Sequence, residues 1–255
     1  MTPNERAQKN HDELFPGHVS TLKVTDPELI DYFDNFAFDE VLRYGTLDTR
    51  TRLMVQLAAL IACQALAEYR IMLGAALTVG VTPVEAKEVV YQAVPYVGMG
   101  KVFDFLHATN GILTERGVAL PLEGQSTTTP DTREEKGLAV QKAIVGAGRV
   151  DAMYASAPAD ELHLQRYLSA NCFGDHYTRA GIDVPTRELL TFAMLVSLGG
   201  CEPQAKGHVA ANRNVGNDRQ RLLSVVTQLL PYIGYPRTLN AVRLIDEIIP
   251  AHADQ

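Results

Sequence analysis

Apolar residues recur at helical spacing along most of the chain. Leu53, Met54, Leu57, Leu60 and Ile61 trace a helix, and the run stays apolar through Ile61-Ala62-Cys63. A helix apolar on nearly every side is expected to be buried on most of them. Leu189 to Leu198 predicts a second helix of that kind. Capping residues punctuate these runs. Asp26-Pro27-Glu28-Leu29 places an N-cap residue before a proline at the first helical position. Asp48 predicts the cap of the first apolar helix, and Asp183-Val184-Pro185 opens the second. Thr82-Pro83-Val84-Glu85 is a capping box that starts a helix running to Ala93. Lys101 to Arg116 predicts one more helix, and Ser156 to Asp160 starts another in the later part of the chain. No stretch alternates with the period of a strand, so the fold class expected is all-α.

The punctuation repeats. Gly80 and Gly216, Gln92 and Gln228, Pro95 and Pro231, and Tyr96 and Tyr232 are each 136 residues apart. Tyr32 to Asp48 recurs as Tyr167 to Asp183 at 135 residues, with Phe38 answering Phe173. The chain therefore reads as a tandem repeat. One additional residue lies between Asp183 and Gly216, and Gly199-Gly200 is expected to hold it, because two glycines tolerate a loop or kink. The division predicted is a first repeat with a polar N-terminal arm over residues 1–120, a linker over 121–132, and a second repeat over 133–255. Gly124 to Thr132, rich in Ser, Thr and Pro, marks the linker.

Composition narrows the function classes. The 255 residues are 46% hydrophobic, enough for a substantial core. A net charge of −7 counts against a nucleic-acid partner. No apolar run reaches the roughly 18 residues of a membrane span, so no membrane partner is expected. The N-terminus, MTPNERAQKNHDELFPG, lacks a secretory apolar segment, and the 3 cysteines form no CxxC pair. Both features point to the reducing cytoplasm. With no glycine-rich phosphate loop and no metal-ligand spacing, neither cofactor nor metal is expected.

The chemistry concentrates between Cys201 and Tyr235. His208 follows Gln204 by four residues and Cys201 by seven, so the three can share one helix face. Cys201 would sit just before a helix opened by Glu202-Pro203, where the helix dipole favours thiolate. Two readings stand at this point: a Cys/His pocket, or a satisfied core histidine beside a small buried cysteine.

Glu188, the Gly-Cys-Glu-Pro-Gln junction, His208, Asn214-Val215-Gly216 and the segment from Gln228 to Gly234 resemble the carboxymuconolactone decarboxylase family. That family is akin to the alkylhydroperoxidase D proteins. The resemblance implies a tandem pair of alkylhydroperoxidase D-like helical domains. It also implies ring assembly, in which a fused pair builds a homotrimer imitating six domains. In the related peroxidases a Glu, a CxxC pair and a His form the site. Glu188, Cys201 and His208 match these positions, while Gln204 replaces the second cysteine. The catalytic candidates are thus His208, Glu188 and Cys201.

Gln204, Lys206 and Tyr232 are the candidate substrate contacts in the second repeat, with Lys206 or an arginine of a neighbouring chain as carboxylate clamp. Cys63 and Glu68 are their counterparts in the first, where Met72 stands at the place of His208. The function expected is a decarboxylase acting on a small carboxylated lactone or related acid. The alternatives are a thiol-dependent peroxide reductase using Cys201, or a non-catalytic oligomeric binding protein.

Overall fold

The computed structural model describes residues 4–251; residues 1–3 of the polar arm and residues 252–255 of the second repeat lie outside the described residues. Among those described, every regular element is a helix. The arm holds α1 (Glu5–Leu14) and the single turn α2 (Leu22–Thr25). The first repeat continues through α3 (Pro27–Asn35), a π-helical turn (Phe36–Glu40), α4 (Thr49–Ala62), α5 (Leu66–Thr78), α6 (Pro83–Val97) and α7 (Met99–Glu115). Beyond the linker come α8 (Arg133–Val145), α9 (Ala147–Ser156) and α10 (Leu162–Tyr167), then a second π-helical stretch (Leu168–Tyr177). The chain closes with α11 (Val184–Leu198), α12 (Glu202–Asn214) and α13 (Arg219–Ile248).

Both long apolar helices lie at the centre. Eleven residues of α4 are buried and eleven of α11, which leaves neither helix a solvent face, and the two pack against each other. Around them a single continuous hydrophobic core draws on both repeats. The caps act where the sequence places them. Asp48 Oδ1 accepts from the Thr51 amide at 3.0 Å, and Asp183 Oδ1 from the Thr186 amide at 2.8 Å. Thr82 and Glu85 complete the capping box. Asp26 precedes α3 but makes no side-chain cap, and its carboxylate takes the Thr25 hydroxyl instead.

The repeat survives in the backbone. Gly98 and Gly234, 136 residues apart, have φ of 83° and 76°. The first separates α6 from α7; the second kinks α13 at the same place. The additional residue of the second repeat is not in a loop. Helix α11 has 15 residues against 14 in α4, while three residues follow each before the next helix. The glycines serve the turn instead: Gly199 and Gly200, both at φ 70°, let α12 fold back on α11. Two further expectations shift. Helix α6 continues past Ala93 to Val97, and the helix expected at Ser156 to Asp160 starts at Leu162.

Glycine also sets the position of α8. A Cβ on Gly137 would lie 2.0 Å from the Ser169 carbonyl oxygen, and one on Gly174 would lie 2.1 Å from that of Arg133. Only glycine permits this approach, which seats α8 directly on the second π-helical stretch.

Candidate active site

A cavity of about 550 Å³ opens between α8, α9, α11, α12 and the end of α6. Its wall includes His208, Cys201 and Gln204 from the α12 region, Cys172 from the π-helical stretch, Arg149 from α9 and Tyr96 from the first repeat. His208 Nδ1 lies 2.8 Å from Glu188 Oε2, and the Glu188 side chain is fully buried behind it. As a carboxylate Glu188 can only accept, so Nδ1 carries the proton and Nε2 is the ring nitrogen left for chemistry.

The second carboxylate oxygen is also satisfied. Tyr177 Oη donates to Glu188 Oε1 at 2.6 Å. Having given its one proton to Glu188, Tyr177 must accept from its other neighbours, Thr191 Oγ1 and Tyr96 Oη, each at 2.9 Å. Gln92 Nε2 donates to Thr191 Oγ1 at 3.2 Å, which leaves the Thr191 proton free for Tyr177. Cys172 Sγ donates to Tyr96 Oη at 3.7 Å. Every proton in this chain points towards Glu188. A buried carboxylate costs several kcal/mol unless such donors replace its water.

Burial pushes the Tyr177 phenol well above its ordinary value, and the Glu188 charge raises it further. Burial does the same to Tyr96, with Cys172 next in effect. The Cys172 thiol is pushed up to about 12, chiefly by burial. These groups stay protonated and act as donors.

Two other features hold the pair in place. The Tyr96 ring stands edge-on to the His208 imidazole, with centroids 5.4 Å apart at 81°. Buried Asn212 Nδ2 donates to the backbone carbonyls of Glu188 (3.1 Å) and His208 (2.8 Å), tying α12 to α11 where the pair meets. Asn217 Nδ2 in turn donates to Asn212 Oδ1 at 2.8 Å.

The remaining candidates separate. Cys201 and Gln204 reach the His208 cavity. Cys201, however, is no thiolate: Sγ donates to the Leu195 carbonyl at 3.3 Å, and burial followed by the Glu202 charge pushes the thiol up. Desolvation outweighs the helix-end effect, which is only about 0.3–1 kcal/mol at exposed sites. Lys206 turns away from the cavity to Glu247, 2.8 Å from Nζ. Tyr232, Glu68 and Cys63 belong to the corresponding region of the first repeat. Tyr232 Oη sits 4.0 Å from Met72 Sδ, burial raises the Glu68 carboxyl, and Cys63 Sγ donates to the Ser197 carbonyl at 3.7 Å. All three cysteines are free.

The cation in the cavity wall is Arg149. Its Nη2 lies 3.7 Å from where a Cβ on Gly207 would stand, an ordinary contact distance that puts the guanidinium against the residue next to His208. Among the described residues no carboxylate pairs with it. Nor do any three His, Cys, Asp or Glu side chains gather so as to hold a metal ion. Among the described residues no helix is long and apolar enough to cross a membrane.

Sequence comparison agrees with the duplicated frame. The carboxymuconolactone decarboxylase family matches residues 27–111 and again residues 163–247. Among curated proteins, the chain is similar to the 4-carboxymuconolactone decarboxylase of Acinetobacter baylyi. The two are 25% identical over 118 residues, which span 46% of this chain and 87% of that protein.

Proposed function

The chain belongs to the carboxymuconolactone decarboxylase family, and from that premise we propose that it decarboxylates a small carboxylated lactone or related acid, with His208 as general acid/base. The observation that carries the proposal is the His208–Glu188 pair at 2.8 Å in the wall of a cavity with one unpaired cation. Arg149, rather than Lys206, holds the substrate carboxylate. The bond from ring carbon to carboxylate breaks and carbon dioxide leaves. Its electron pair forms a new double bond at the vacated carbon and shifts the substrate's existing one towards the lactone carbonyl, and a proton from imidazolium Nε2 of His208 is taken up by the carbon beside that carbonyl. Glu188 stabilises the imidazolium beforehand, and such a positioned acid contributes on the order of 10²–10⁴ in rate. Peroxide reduction at Cys201 is the weaker reading, since its thiol is held protonated and Gln204 stands where a second cysteine would act.

The working assembly in this proposal is a cytoplasmic homotrimer. Its support is that exposed apolar residues recur at the repeat spacing: Leu29 with Leu164, Tyr32 with Tyr167, Met99 with Tyr235, and Phe103 with Leu239. Equivalent apolar surfaces on the two repeats suit a ring in which one repeat meets the other repeat of the next copy.

The test of activity is carbon dioxide release from 4-carboxymuconolactone. Wild-type turnover that vanishes in His208→Ala, with the circular dichroism unchanged, is the expected result. A wild-type protein inert towards carboxylated lactones would overturn the proposal.

A further inference from the structure

A second cavity, of about 330 Å³, lies where the linker crosses α6 and α7. It shares no lining residue with the His208 cavity. Lys87, Tyr91, Asn110 and Arg179 supply its polar wall, and Leu120 with the linker residue Leu122 part of its apolar one.

Counting Arg187, which sits behind the lining, the cavity's surroundings hold three cations against two carboxylates, Glu88 and the exposed Glu123. Buried Glu88 is shared by two guanidinium groups. Arg179 Nε lies 3.0 Å from each carboxylate oxygen, and Arg187 Nη2 lies 2.7 Å from Oε2. Two positive charges thus face one negative, with Glu88 and Arg187 both out of solvent. Lys87 adds another. Its Nζ donates to the neutral Asn110 Oδ1 at 2.5 Å, and among the described residues no carboxylate pairs with it. Half-buried as it is, burial lowers the Lys87 amine. The Tyr91 ring orders both cations, with Arg179 Cζ at 4.9 Å and Lys87 Nζ at 5.6 Å from its centroid.

Partly desolvated cations beside apolar walls are met by a ligand that brings one negative charge and an apolar body. Exposed Glu123 at the rim opposes a second negative charge. We propose that this cavity is a second binding site, for a small organic monocarboxylate whose carboxylate rests on Lys87 and Arg179 and whose apolar part lies under the linker.

The test is calorimetric titration of the full chain with benzoate, using benzamide as the uncharged control. Benzoate is expected to bind and benzamide not. Lys87→Met should weaken benzoate about tenfold, the loss of one charge-assisted hydrogen bond. Lys87→Arg should retain it, and Arg149→Met should remove only a separate benzoate event in the His208 cavity, leaving the one that Lys87→Met weakens. Unaltered benzoate affinity in a folded Lys87→Met protein would overturn the proposal. A crystal soaked with 4-bromobenzoate decides the matter without any variant: bromine density beneath the linker supports it. Bromine confined to the His208 cavity, or an adventitious additive only at the surface, overturns it.

Discussion

The two repeats share a frame and differ in what fills it. Where the second has Glu188, His208, Tyr177 and Cys172, the first has Leu53, Met72, Leu42 and Ala37. Leu53 and Met72 are packed into the core. The difference teaches that the polar group works as a set. Glu188 is tolerable in the core because His208 and Tyr177 satisfy it, and Tyr177 is oriented because Tyr96 and Thr191 donate to it. The first repeat has none of the four. The repeats nevertheless depend on each other. Tyr96 of the first packs on His208, and its counterpart Tyr232 packs against Met72. His208 and Met72, the matching residues, therefore each meet a tyrosine that follows a proline in the other repeat.

Erasing the contrast should cost most at Glu188. Glu188→Leu gives the second repeat the residue of the first, and it leaves the Tyr177 hydroxyl and His208 Nδ1 without an acceptor. We expect kcat to fall by about 10²–10⁴, measured by steady-state decarboxylation; a fall below tenfold would separate Glu188 from the chemistry. Tyr177→Phe removes one of the two donors to the buried carboxylate. A hydrogen bond to a charged group contributes about 1.5–3 kcal/mol, so kcat should fall by about 10- to 150-fold, with KM little changed.

Arg149→Met should instead raise KM about tenfold and leave kcat nearly unaltered, the signature of a group that binds ground and transition states alike. The smallest effect belongs to Cys201. Cys201→Ala should keep turnover within about twofold, because a thiol raised above its ordinary value is a poor nucleophile near neutral pH. Raised thiol values mean that alkylation of Cys201 by iodoacetamide accelerates only as pH climbs past the ordinary 9.0. Cys172, pushed up to about 12, should be the last to react. Rapid labelling of Cys201 near neutral pH would return the thiol to the mechanism.

The frame was legible because its signals are local. Asp48, Asp183 and the Thr82–Glu85 box cap helices within three residues of themselves, and the 136-residue spacing of Gly80 and Gly216 needs only counting. His208 and Glu188 were legible from the family's pattern. Their supports were not. Tyr96 and Tyr177 meet across 81 residues of chain, a contact that no local periodicity encodes. Arg149 comes from α9, outside both stretches that match the family. Lys206 misled because a position two residues from His208 points to a different helix face, where Glu247 takes it. Cys201 misled because its position at a helix start says nothing of the Leu195 carbonyl that holds its proton.

The most direct test exchanges the residues at the matching place of the two repeats and measures decarboxylation of 4-carboxymuconolactone by the full chain. His208→Met should abolish turnover while the fold persists, and Met72→His should change it little, because Leu53 offers the new imidazole no carboxylate. Full activity in His208→Met, or equal losses from the two substitutions, would contradict a single working site in the second repeat.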